Sequence, residues 1–112
     1  MIIEEFIIGY LNRTLSDVVA YGDVPSPVPD RFVTVEQTGG YDEDKVRFAT
    51  IAVQSWEMTR AEAAELNEEV IAAMEAMISE DEISKCSLDN SYNFTDLTRK
   101  KPRYQAVFSV VY

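Results

Sequence analysis

The chain has 112 residues, ten of them basic and twenty acidic, with no histidine and one cysteine. That length suits one hydrophobic core and not two, and 46% hydrophobic with 27% charged residues is the balance of a globular chain. A net charge of −10 argues against binding nucleic acid through phosphate neutralisation, and no stretch approaches the ~20 apolar residues of a membrane-spanning helix.

The N-terminal "MIIEEFII" carries two glutamates where a signal peptide needs a positive start and an unbroken apolar run. The chain therefore reads as soluble and unexported, and its glycosylation sequons at Asn12 and Asn93 are without meaning. Ile3, Phe6, Ile7 and Tyr10 fall at helical spacing, with Glu4 and Glu5 at the positive end of the helix dipole, so residues 2–11 predict a short helix. Gly9 weakens that helix by roughly 1 kcal/mol relative to alanine. "DVVAYGDV" predicts a first strand over residues 17–24, and Pro25, Pro27 and Pro29 a stiff extended connection.

Two strands are predicted over 31–38 and 45–56, joined by TGGYDED with Gly39 and Gly40 as the turn residues. In the second, Val46, Phe48, Thr50, Ala52, Gln54 and Trp56 share one face and Arg47, Ala49, Ile51, Val53 and Ser55 the other. Both faces are largely apolar, which places this strand mid-sheet or in a sheet covered on both sides. Thr59 and Glu62 have the spacing of a capping box that opens a long helix. Its apolar stripe is Ala63, Leu66, Val70, Met74, Met77 and Ile78. Beyond the acidic Glu80-Asp81-Glu82, "ISKCSLDNSYNF" alternates weakly as a strand, "TDLTRKKP" predicts a turn, and "RYQAVFSVVY" a final strand. The pattern is that of an α+β fold: a small mixed or antiparallel sheet of about four to five strands, a long helix packed on one face and a short N-terminal helix.

The absence of histidine removes Ser-His and Cys-His nucleophile systems and every imidazole metal site. Cys86 beside Lys85 reads as a half-buried, inert thiol. The acidic triplets at 42–44 and 80–82 are solvated charge, since neighbours in sequence rarely converge on one reacting atom. Residues 89–100 mimic a calcium loop but place Phe94 where glycine is needed and Lys100 where a bidentate glutamate belongs. Gly39-Gly40 lacks the following lysine of a phosphate cradle. No catalytic, cofactor or metal residue is assigned.

Charge is unevenly placed. Residues 1–98 hold six basic and twenty acidic side chains, −14, whereas residues 99–112 hold four basic and no acidic ones, +4. Arg99, Lys100, Lys101 and Arg103 are either a solvated strand entry or a patch that meets an acidic surface on another copy. Trp56 is either core or an interface anchor, and Tyr41 either a solvated residue or a loop tip that touches a partner.

Taken in order, "FVTVEQTGG" at 32–40, "VRFATIAVQSWEMTRAEAAELNEEVIAAM" at 46–74 and "KPRYQAVFSVVY" at 101–112 give a chain that resembles the small tail terminator (tail completion, minor tail) proteins of long-tailed bacteriophages. The likeness includes the helix-first order, the prolines before a double-glycine hairpin, a strand ending at tryptophan, Arg60 to Ala63 in a threonine-capped helix and a closing Arg-Tyr strand. The acidic TGGYDED loop and residues 83–98 depart from the pattern. The resemblance implies a non-catalytic, cofactor-free subunit of a hexameric ring that binds the head-proximal end of the tail tube, ends its growth and meets the head-tail connector proteins. It implies a place in the virion tail, assembled in the bacterial cytoplasm, with no specific nucleic-acid or membrane partner. Contact candidates are then Gly39, Gly40, Tyr41, Asp42, Glu43, Asp44, Trp56, Arg99, Lys100, Lys101 and Arg103. The rival readings are a neck protein of the same virion, a small acidic DNA mimic, and an enzyme with perturbed carboxylates.

Overall fold

A computed structural model describes all 112 residues. Helix α1 (Ile3–Thr14) leads into β1 (Ala20–Tyr21), β2 (Phe32–Glu43) and β3 (Val46–Trp56), then α2 (Arg60–Ala76), a 3-10 turn at Met77–Ser79, β4 (Lys85–Asn93) and β5 (Arg103–Val111). The strands form one sheet in the order β1-β2-β3-β5-β4, antiparallel except for the parallel β1–β2 pair. This is the expected α+β fold with its mixed sheet, long helix and short N-terminal helix. β3 is the central strand, as its two apolar faces require.

The core lies between one sheet face and both helices. Val33, Val35, Ala49, Ile51, Val53, Ala106, Phe108 and Val110 meet Ile3, Ile7, Tyr10 and Leu11 of α1 and Leu66, Val70, Ala73 and Met74 of α2. The Tyr10 hydroxyl donates to the Ala73 carbonyl at 2.6 Å, tying the helices together. At the start of α2 Thr59 Oγ1 accepts from the Glu62 N–H at 3.1 Å, the expected N-cap. Glu62 does not reach back to the Thr59 backbone; its carboxylate accepts from the Thr59 hydroxyl instead. Ile78 departs from the predicted stripe and is exposed, because the helix tightens into the 3-10 turn at Met77 and rotates the residue outward, while Asn67 takes a buried place. The predicted first strand shrinks to two residues, β1.

The hairpin is the main correction. Gly39 and Gly40 are not turn residues; they lie inside β2, and the turn is Asp44-Lys45, both at positive φ (49° and 67°). A two-residue turn with two positive φ values matches the right-handed twist of the flanking strands, and aspartate tolerates that region better than most residues. β2 therefore runs twelve residues, with a shift of register between Gln37 and Gly39. Neither glycine has positive φ. Gly40 is required for another reason: a Cβ there would stand 2.7 Å from the Phe48 carbonyl oxygen, whereas one on Gly39 would meet nothing closer than Thr50 Oγ1 at 3.8 Å.

Gly40→Ala should accordingly lower stability by about 1–3 kcal/mol through forced backbone displacement, and Gly39→Ala should be neutral or stabilising by about 0.5 kcal/mol through reduced unfolded-state freedom. Urea denaturation of the two variants checks this; equal midpoints would show that the β2–β3 approach is not the constraint.

Candidate functional site

Both helices cover one face of the sheet, so the second face must be covered by other means. At its lower end Trp56, Phe32 and Thr34 are buried outside the helix-facing core. Trp56 stacks on Phe32 at 5.1 Å between ring centroids and is 1% exposed. It is a core residue, and not the interface anchor considered above, because loops fold over it from two sides. One is the segment after β1, whose Gly22, Asp23 and Val24 line a cleft of about 240 Å³ with Trp56, Phe94 and Arg103. The other is the β4–β5 connection.

A chain of side-chain hydrogen bonds crosses this face. Trp56 Nε1 donates to Thr34 Oγ1 (2.9 Å), the Thr34 hydroxyl to Gln54 Oε1 (2.7 Å), Gln54 Nε2 to Gln105 Oε1 (2.6 Å), and Gln105 Nε2 to the Tyr92 hydroxyl. It links β2, β3, β5 and β4 and satisfies the buried polar atoms of Thr34 and Gln54, which would otherwise destabilise the fold. The only trace of it in the sequence is that Thr34, Gln54 and Gln105 occupy register positions opposite one another, which strand pairing alone reveals.

The basic cluster is drawn inward. Arg103 lies between Phe94 (4.2 Å from guanidinium carbon to ring centroid) and Trp56 (4.7 Å), and its Nε donates to the Phe94 carbonyl at 2.6 Å. Burial lowers its pKa, with Asp96 acting in the opposite direction. Arg99 pairs with Asp96 at 2.8 Å. Lys101 Nζ donates to the Asp30 carbonyl at 2.8 Å and the Glu57 carbonyl at 3.4 Å, clasping two other loops. Lys100, in the exposed turn at φ 53°, is the member of the cluster left facing solvent with no such contact. Around it stand apolar side chains that sequence periodicity did not single out: Leu97, 84% exposed, with Met58 and Phe94.

At the opposite end lies the tip of the β2–β3 hairpin, an arm short enough that only the Glu43–Val46 pair and the Asp44-Lys45 turn pass Tyr112, which Arg47 holds by backbone bonds in both directions. Tyr41 is a strand residue rather than a loop tip; it stacks on Phe48 at 4.6 Å yet stays 60% exposed. Asp42 pairs with Arg47 at 3.5 Å, and Arg47 lies over the Tyr112 ring. Glu43, Asp44 and Lys45 are exposed at the tip. The 39–44 and 99–103 segments are thus not brought together. They sit at the two ends of β3, in a molecule 43 Å long and about 25 Å across.

A second cleft, about 320 Å³, gathers Glu57, Glu62, Glu65 and Glu69 around Arg31. Arg31 Nη2 donates to Glu69 at 3.1 Å; its Nε is also 3.1 Å from Glu57, but aimed off the oxygen, so that contact is ionic rather than a hydrogen bond. Burial raises the Glu57 pKa and Arg31 counteracts it. The arrangement ties the start of β2 to α2. Cys86 is a thiol at neutral pH, since burial, with Glu75 and Asp89 adding, pushes it up to about 11.

No protein-family model matches this chain, and no curated protein matches it in sequence.

The pH response of the basic end follows from Asp96. Its pKa is lowered, first by the Arg99 backbone N–H, then by the Arg99 side chain, with Thr98 N–H adding. A depressed carboxylate pKa stabilises the fold above the unfolded value and is lost as pH falls through the folded one. Asp96→Asn should therefore cost about 1.5–3 kcal/mol at pH 7, and the gap to wild type should narrow as pH drops below an aspartate's ordinary 3.8. Urea titrations at both pH values measure it; a gap independent of pH would assign Asp96 a purely steric role.

Proposed function

We propose that the protein is a structural subunit of a virus tail, one that assembles into a ring at the head-proximal end of the tail tube, ends its growth and joins it to the head. The observation that carries this reading is the separation of two unlike exposed ends on one elongated sheet: a hairpin tip with Tyr41 and Val46 beside Glu43, Asp44 and Lys45, and a loop end with Leu97 and Met58 beside Lys100. Unlike ends on one chain suit head-to-tail association, which closes into a ring when the rotation between copies allows.

Exposed apolar residues bordered by charge are the common composition of protein-binding surfaces. The whole-chain resemblance to tail terminators supports the same reading from an independent direction. In this role the chain works through its surfaces, without cofactor or substrate. Its net charge of −10 suits a component that does not bind DNA along its length.

The test is tail assembly. Tail tube protein of the same virus, polymerised with the purified chain and imaged by electron microscopy, should give tubes of limited length with extra density at one end. Tubes of unrestricted length with two bare ends would sink the proposal, and binding to the portal or neck assembly instead of the tube would move the protein to the connector role.

A further inference from the structure

We infer that the cleft on the helix-free face of the sheet is a binding site for a small zwitterion, an α-amino acid, whose carboxylate sits on Arg103 and whose ammonium group meets Asp23 and Glu36. Such a ligand is independent of any role in a virus tail.

Arg103 is a half-buried guanidinium that the fold leaves without a counter-ion. Arg13, Arg31, Arg47 and Arg99 each have a carboxylate oxygen within 4.0 Å, and Arg103 has none. Asp96 is committed elsewhere: its oxygens accept from the Thr98 and Arg99 backbone N–H groups and from the Arg99 side chain. Arg103 uses its Nε–H on the Phe94 carbonyl and its faces on Phe94 and Trp56, which leaves both terminal amino groups without a protein acceptor. Enclosure strips a charge of water, and a carboxylate on the free fork restores what was lost. The two rings fix the plane of the guanidinium, so the fork is set before a ligand arrives.

The cleft beside that fork holds about 240 Å³. Pockets for drug-sized ligands run to roughly 300–1,000 Å³, so this one suits a smaller molecule. In its wall Gln54 and Gln105 each give one amide N–H to the polar chain and keep a second with no acceptor, although Gln54 is only 8% exposed. The β3–β5 side thus offers hydrogen-bond donors, which a carboxylate accepts from.

The other side is acidic. Asp23 follows β1, and Glu36 stands on β2 two residues past Thr34 on the same face. Neither carboxylate has a cation within 4.0 Å. Glu36 is near enough for its charge to act on Arg103 and too far to pair with it. The strand order places β3 between the acids and the guanidinium. A dianion such as phosphate is opposed by two carboxylates against one guanidinium, and a simple carboxylate is attracted on one side and repelled on the other. A molecule that carries both charges one carbon apart answers both sides. With a hydrogen bond at each end it spans about 8–9 Å, a gap of the kind that unpaired groups of opposite charge leave across a cleft.

The experiment titrates the standard amino acids singly, then acetate and inorganic phosphate, into the isotope-labelled full chain. The Trp56 indole N–H and the Arg103 Nε–H are the reporters by NMR, and Trp56 is unambiguous as the one tryptophan of the chain. At least one amino acid should shift both with a Kd of about 1 mM or tighter, and acetate and phosphate should bind about tenfold more weakly or not at all. Arg103→Lys, which lacks the planar fork, should abolish binding. Because that change also loosens the stack on Trp56, the deciding variant is the double substitution Asp23→Asn with Glu36→Gln, at two exposed residues that have no ion pair to lose. It should bind the amino acid about three- to tenfold more weakly and acetate more tightly, a change of opposite sign that altered folding does not produce. Reporters unmoved by every amino acid, acetate or phosphate binding as well as the best of them, or a double variant with wild-type affinity would each overturn the inference.

Discussion

The fold depends on the requirement that β3 be covered on both faces. Its core-facing row of Ala49, Ile51 and Val53 is met by α1 and α2, but the row that ends in Gln54 and Trp56 has no helix to meet it. The chain covers that row from below, with Phe32 stacked on Trp56 and Arg103 and Phe94 laid over the indole. Cover reaches only part of the way along the strand. Where it stops, toward Phe48 and Val46, the hairpin closes at the Asp44-Lys45 turn, one residue pair beyond the backbone pairing of Arg47 with Tyr112.

This arrangement explains the uneven charge better than solvation does. Three of the four cations after Asp96 are structural: Arg103 is a cationic lid on an aromatic, Arg99 closes the Asp96 turn, and Lys101 caps carbonyls of two loops that have no ladder to satisfy them. Cations suit the task because the groups to be satisfied are carbonyl oxygens and ring faces, both of which attract positive charge. The segment is basic mainly because it is the clasp of the lower end.

Sequence periodicity carried the architecture well because it depends on short-range rules. The capped start of α2, the central place of β3 and the α+β class all follow from spacing within single segments. The failures have one source, namely contacts between segments. Gly39-Gly40 looked like a turn because glycine pairs are common there, but the glycine that is needed answers to the Phe48 carbonyl across the hairpin, and the turn went to Asp44-Lys45. Trp56 was ambiguous until Phe32 and Arg103 were placed around it. The Thr34-Gln54-Gln105-Tyr92 chain could not be found at all without register, since each member is an ordinary polar strand residue until its neighbours are known.

That polar chain also bears on how force crosses the molecule. A sheet uncovered on one face is held across its strands by backbone hydrogen bonds alone and can shear or twist, whereas side-chain bonds running from β2 through β3 and β5 to β4 add a second tie at the same level. The tie sits near the clasped end, while the arm is stiffened separately by Tyr41 on Phe48 and Arg47 over Tyr112. The two sets of ties thus stand at opposite ends of one continuous strand, β3, so that each end of the sheet is held by side chains as well as by its backbone ladder.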